Sequence, residues 1–311
     1  MTLTTCRSLC LTVVTLIVAT QHPDAAERGT ARPGATADRV PCGDVTAVGV
    51  EHQYTVTGRV KLLLIWTGRR EVGQARFARS DTAAGTSRLA LLVGTDPDRA
   101  PMGLNRWGYI AETTCDAETF VTGVMTESKE QSIEQARSRT DDQSQRRPLR
   151  AIRSRVSATE SATETLTILP TRTVTYQDLG EVLSMEASTR AGLRIAVPPH
   201  AESGFLRAVT SLMQESAMAF GESRKPPDGL RRLYVYGGNI YEMTLRQSRP
   251  TRRAGTGELE SDFQVRNRTT GSTTQFQIAY TTSGRNPAVA RRIVYRPRWW
   301  LELELLLKEP S

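Results

Sequence analysis

Three histidines, His22, His52 and His200, are the side chains of this chain whose ordinary titration lies near neutral pH, so any general base is sought among them first. His22 lies in the leader discussed below and departs with it. A metal site would need ligands clustered as in HExxH, and that spacing does not occur. There is no CxxC redox or zinc pair, no GxSxG nucleophile elbow and no GxxxxGK[ST] phosphate loop. Gly255-Thr256-Gly257 lies in a polar loop and lacks the third glycine of a dinucleotide-binding turn. His52 and His200 remain as bases of a triad assembled from distant residues, against the plainer reading of two surface rings. Glu302 and Glu304 are two apart, so both point to one face of a strand. Paired carboxylates do acid/base chemistry when one is desolvated, but alternation with Leu reads as a solvated sheet face. No catalytic residue, metal ligand or cofactor is therefore assigned. Asn267-Arg268-Thr269 matches a glycosylation sequon and reads as accidental in a bacterial chain.

The aromatic residues offer a different chemistry. Trp66, Trp107, Tyr109, Tyr236 and Trp299 lie in or beside strand-like runs. A curved sheet lined by such rings and by Leu would hold an apolar ligand, since small-molecule sites are mostly apolar with a few polar anchors. The competing reading is that the rings simply fill a core.

Positioning these residues depends on where the chain folds. Leu9 to Ala19 form an apolar run, LCLTVVTLIVA, after a short segment carrying Arg7. That run is too short for a membrane-spanning helix, which needs about 20 residues, and fits the core of a signal peptide over residues 1–26. The expectation is a periplasmic or secreted bacterial protein with no transmembrane span in its mature chain. Cys6 and Cys10 precede the apolar run, which argues against lipoprotein processing. Cys42 and Cys115 stay with the mature chain, and an oxidising compartment favours one disulfide between them. The net charge is +8, and Lys occurs at four positions only (Lys61, Lys129, Lys225, Lys308), so Arg supplies 37 of the 41 basic residues. With abundant Ala, Thr and Gly, this is the usage of a GC-rich bacterial genome. Attraction to an anionic envelope lipid or glycan is the functional reading of the same charge. Nucleic acid is excluded as a partner because export separates the two.

Organisation follows from periodicity. Residues 27–45 are a flexible leader rich in Gly, Pro, Ala and Thr. Residues 46–127 read as an N-terminal β-rich half, with YTVTGRVKLLLIW and RLALLVG as strands and alternation resuming through Phe120 to Met125. Residues 128–165 are polar and carry seven Arg, and they read as a disordered linker that buries too little apolar surface to offset its ordering entropy. Residues 166–310 form a C-terminal β-rich half with a helical insert over 177–221. In that insert Gln177 to Glu186 is one helical candidate. Ser203 to Phe220 is another, with Phe205, Val209, Leu212, Met213 and Phe220 in one stripe, Ser203 as N-cap and Gly221 as stop. Gly237-Gly238 marks a two-residue hairpin turn, and further strands run from Phe263 through Tyr280 and from Ala290 to Leu307.

The hairpin YGGNIYEMTL at Tyr236 to Leu245, the strand Phe276 to Tyr280 and the closing run ARRIVYRPRWWLELEL at Ala290 to Leu305 together resemble a family of bacterial envelope proteins, the domain of unknown function 3108. The resemblance spans roughly the last 80 residues. It implies a periplasmic or secreted β-clam or half-barrel and carries over no active site.

The fold expected is mainly β (α+β): a curved antiparallel sheet or partial barrel with one or two packed helices. The function expected is a non-enzymatic exported envelope protein that binds or carries a lipid-like, glycan or protein partner. The alternatives are an envelope-polymer hydrolase with His52 or His200 as base, and a structural subunit of an outer-membrane assembly.

Overall fold

The structure is a computed structural model that describes residues 49–62, 65–82, 85–100, 105–126, 148–223, 225–251, 257–283, 287–298 and 301–309, with residues 35–36 and Cys42. It is mainly β. Fifteen strands form one antiparallel sheet: β1 (Ala35–Thr36), β2 (Val50–Leu62), β3 (Ile65–Asp81), β4 (Ser87–Thr95), β5 (Trp107–Cys115), β6 (Glu118–Thr126), β7 (Leu149–Val156), β8 (Glu160–Ile168), β9 (Glu186–Ala196), β10 (Arg231–Tyr236), β11 (Asn239–Pro250), β12 (Glu258–Asn267), β13 (Thr273–Thr281), β14 (Ala290–Arg298) and β15 (Leu301–Leu307). Among the described residues, two α-helices, α1 (Leu179–Ser184) and α2 (Phe205–Ser223), pack against it.

The spatial order is β1-β9-β8-β7-β6-β5-β4-β3-β2-β15-β14-β13-β12-β11-β10. Each strand from β2 to β8 pairs with its sequence neighbour, and so does each from β10 to β15. The two runs join where β15 pairs with β2, Leu303 opposite Gly58 and Leu305 opposite Val56. The sheet is curved into a partial barrel. The ladder does not close: β1 and β10 are its end strands, and β10 makes one isolated parallel bridge, Tyr234 to Glu202 in the connection between β9 and α2.

Alternation decides which residues line the inside. Tyr241, Met243 and Leu245 on β11, and Leu259, Ser261, Phe263 and Val265 on β12, are buried in turn. The β10–β11 turn is the one its glycines forecast. Gly237 and Gly238 have φ of 55° and 74°, values that favour residues without a Cβ. Helix α2 lies on the concave face. Leu206, Val209, Leu212 and Met213 pack with Ile110, Val121, Tyr234 and Phe263 into the main core. A second core lies on the other side of the sheet. There Trp107, Tyr109, Val124 and Leu166 are covered by Val174, Tyr176, Val182 and Leu183 from the α1 region.

Several expectations need correction. The polar tract is not disordered from Leu149 onward: β7 and β8 fall in it, and residues 127–147 lie outside the described residues. Small residues take the buried positions there, among them Ala151, Ser154, Ser161 and Thr163. Outward arginines pair across strands, Arg153 with Glu164 at 2.9 Å and Arg155 with Glu118 at 2.7 Å. The sheet therefore runs on without a divide between two halves. The 177–221 insert is not helical throughout, because β9 separates α1 from α2. Ser203 does not cap α2; its hydroxyl lies 2.7 Å from that of Thr119. Gly221 does not stop the helix, which continues to Ser223.

Candidate functional site

Between α2 and the concave face of the sheet lies a cavity of about 630 Å³. Its walls come from both ends of the chain. Strands β4 and β5 contribute Leu91, Val93 and Ile110, and strands β10 to β13 contribute Tyr234, Tyr236, Tyr241, Val265 and Phe276. Helix α2 adds Phe205, Leu206, Val209, Thr210 and Met213 along one stripe. The rings support one another. Phe205 meets Tyr234 edge-on at 5.9 Å and Phe276 at 6.2 Å, Tyr234 stacks on Tyr241 at 5.1 Å, and Phe263 stacks on Phe276 at 5.3 Å.

The cavity opens at one side. Val50 and Met218 line it yet are 45% and 60% exposed, so they form part of its lip. The lining also holds His52 and the charged Arg79 and Asp81, with Thr210, Gln214 and Thr274 as further polar groups. Arg79 pairs with Asp81 at 2.9 Å, and both side chains are about half exposed. Burial, aided by the charge of Arg291, holds the His52 imidazole below its ordinary value.

Helix α2 is held over the cavity by buried polar contacts. The carboxylate of Glu112 on β5 accepts the backbone N–H groups of Leu206 at 2.7 Å and Arg207 at 2.9 Å, capping the helix from across the sheet. Burial raises its carboxyl to about 7, against the opposing pull of those two N–H bonds and of Arg207. Gly204 is required at this point, because a Cβ there would overlap the Glu112 carboxylate. Farther along, the Tyr280 hydroxyl donates to Ser216 on the helix at 2.8 Å and lies 2.8 Å from that of Ser261, which lies 2.7 Å from that of Ser248.

Of the five aromatic residues expected to bind a ligand, three have described side chains, and of these Tyr236 lines the cavity. Trp107 and Tyr109 are buried in the core on the opposite side of the sheet, since β5 turns Ile110 and Glu112 inward. The side chains of Trp66 and Trp299 lie outside the described residues. Phe205, Tyr241 and Phe276 are lining rings that sequence reasoning left out. Their signal was present as alternation and as a helical stripe; which face would be concave was not.

Glu302 and Glu304 correct a further expectation. They do not form a solvated face but are each 5% exposed. Arg59 lies 2.9 Å from Glu304, Arg292 2.5 Å from Glu304, and Arg296 2.6 Å from Glu302. Carboxylates engaged by three guanidiniums are structural ties. Neither histidine is set up as a base among the described residues. His52 has no hydrogen-bond partner there, and His200 sits exposed in a turn at φ 60°. Asn267 is buried and its side-chain oxygen accepts the N–H groups of Thr269 and Thr270, so the sequon asparagine shapes a turn.

Cys42 and Cys115 are joined in a disulfide, with Cα atoms 6.0 Å apart across 73 positions of sequence. Among the described residues, no group of three or more His, Cys, Asp or Glu could hold a metal ion, and no helix is long and apolar enough to cross a membrane.

No protein-family model and no curated protein matches the chain. Among solved structures, a β-barrel-like protein of domain of unknown function DUF1849 from Brucella abortus is similar in structure. The two are 8% identical, the match covers 84% of this chain and 96% of that one, and the TM-score is 0.37. No functional residue carries over at that distance, and the match bears neither way on the resemblance of the C-terminal hairpins.

Proposed function

We propose that this chain is an exported bacterial envelope protein that binds a lipid-like ligand between α2 and the curved sheet, without chemical conversion of it. The observation that carries the reading is the open cavity of about 630 Å³, walled by Phe, Tyr, Val, Leu and Ile. That volume falls within the roughly 300–1,000 Å³ of small-molecule sites. The apolar lining favours an acyl or isoprenoid chain over a glycan, because each sugar hydroxyl taken from water needs a polar partner. Export is supported by the disulfide, a bond that persists in oxidising compartments. The hydrolase alternative needs a base beside a nucleophile, and His52 at the lip has none within hydrogen-bond reach among the described residues.

The test is displacement of an environment-sensitive fluorescent fatty probe by unlabelled lipid. The probe is expected to brighten on the intact protein. Thr210→Trp should abolish this with the fold retained, because Thr210 faces the cavity from a half-buried helix position and the indole would fill it. Equal brightening with Thr210→Trp, checked by circular dichroism, would move binding elsewhere.

A further inference from the structure

We propose that the ligand is an anionic amphiphile, its negatively charged head held at the lip by Arg79 and Arg291 while its apolar chain enters the cavity. This rests on the lipid-binding reading above and names the class of lipid.

The lip is built from two strands far apart in sequence. On β3, residues 77, 79 and 81 share the inward face, so Phe77 lines the wall while Arg79 and Asp81 reach the opening. On β14, Ala290 lines the cavity, and Arg291 follows it, exposed and just outside the lining itself. Between them β2 presents His52 and Tyr54. The Tyr54 hydroxyl donates to the carbonyl of Ala290 at 3.0 Å, which fixes the β14 lip against β2. The field of Arg291 acts on both His52 and Tyr54.

The charges at the lip are incompletely answered. Arg79 has Asp81 at 2.9 Å, in water-exposed surroundings where such a pair is weak. Arg291 has Glu258 at 4.0 Å, the outer limit of an ion pair. Arg207 on α2, outside the cavity lining, donates to the carbonyl of Ser87 at 3.1 Å and feels the charges of Arg79 and Asp81. Of the other carboxylates that act on Arg207, Glu112 accepts the α2 N–H groups, while Glu202 lies 4.0 Å from Arg232, the same outer limit of an ion pair. Burial, and after it the charge of Arg291, holds the His52 imidazole below its ordinary value. An anionic head would exchange the solvated Asp81 pairing for charge-assisted bonds from Arg79 and would complete Arg291. A cationic head would meet Arg291 and gain Asp81 alone.

The experiment uses the mature chain and four ligands that share one apolar tail: hexadecanoate, hexadecyl phosphate, hexadecanol and hexadecylamine, each below its micellar concentration. Carboxylate and phosphate heads separate two sources of the same negative charge. The expected result is that at least one anion binds about tenfold tighter than the alcohol. Arg291→Gln and Arg79→Gln should each cost the preferred anion several-fold more affinity than they cost hexadecanol. Asp81→Asn, which deletes the competing carboxylate, should tighten the anion. Equal binding of acid, phosphate and alcohol, or tighter binding of the amine, would overturn the anionic head and leave the cavity reading intact. Binding of none of the four would overturn both.

Discussion

Glu112 is the residue on which the placement of α2 turns, and its titration is open to measurement. Folding raises its carboxyl from the ordinary 4.5 to about 7, because burial outweighs the two N–H groups that favour the charge. Between those values the folded chain holds a proton that the unfolded chain has released. The stability from this group is therefore full below about pH 4.5 and is lost as pH rises through 7. The swing is on the order of 3 kcal/mol for such a displacement. Thermal unfolding should move to higher temperature as pH falls from 8 to about 5.5, and Glu112→Gln should flatten that slope. A slope of the opposite sign, or one unchanged in the variant, would detach the titration from Glu112. Nothing in WGYIAETTC marks this residue in advance. Its significance comes from Gly204, met only in the folded chain. The same holds for Glu302 and Glu304, whose alternation with Leu reads as solvated until Arg59, Arg292 and Arg296 are laid over them.

At the scale of elements, period was the legible quantity and partner was not. The β10–β11 hairpin could be read from alternation and two glycines because both act within a few residues. Helix α2 could be read from its apolar stripe, but its true cap comes from another element, so its start could not. Strands β7 and β8 were hidden for a different reason. Their ten buried positions are five large aliphatics (Leu149, Ile152, Val156, Leu166, Ile168) and five small residues (Ala151, Ser154, Ser161, Thr163, Thr167), diluted among charged residues, so a count of hydrophobes misses them. A tighter reading would have weighed alternation of small against charged residues: in RAIRSRV the arginines at 153 and 155 point outward while Ile152, Ser154 and Val156 are buried or nearly so. The aromatic site suffered likewise. Trp107 and Tyr109 share a face, as spacing requires, but that face belongs to the α1 side of the sheet.

At the scale of the molecule, the middle of the sheet is made from the two ends of the described chain. Strand β15 closes on β2, with Tyr54 opposite Leu307 and Val60 opposite Leu301. A pairing of such long range is invisible to local pattern, and its closure entropy makes it a late event in folding. The disulfide acts on the same large scale by restricting the unfolded chain over 73 positions. Loop entropy assigns it roughly 4 kcal/mol. Cys42→Ser with Cys115→Ser should lower the denaturation midpoint accordingly, and reductant should lower the midpoint of the parent but not of the double variant. An unmoved midpoint in both would show that the bond contributes nothing to stability.

The cavity is the claim on which function depends, and chain length is its ruler. Binding of a series of straight-chain alcohols, each one methylene longer than the last, measures it most directly. Affinity should climb by about 0.8 kcal/mol, or roughly fourfold, per methylene until the space is filled, and then level off. Affinity independent of length from the first member onward would contradict an apolar chain lying between α2 and the sheet.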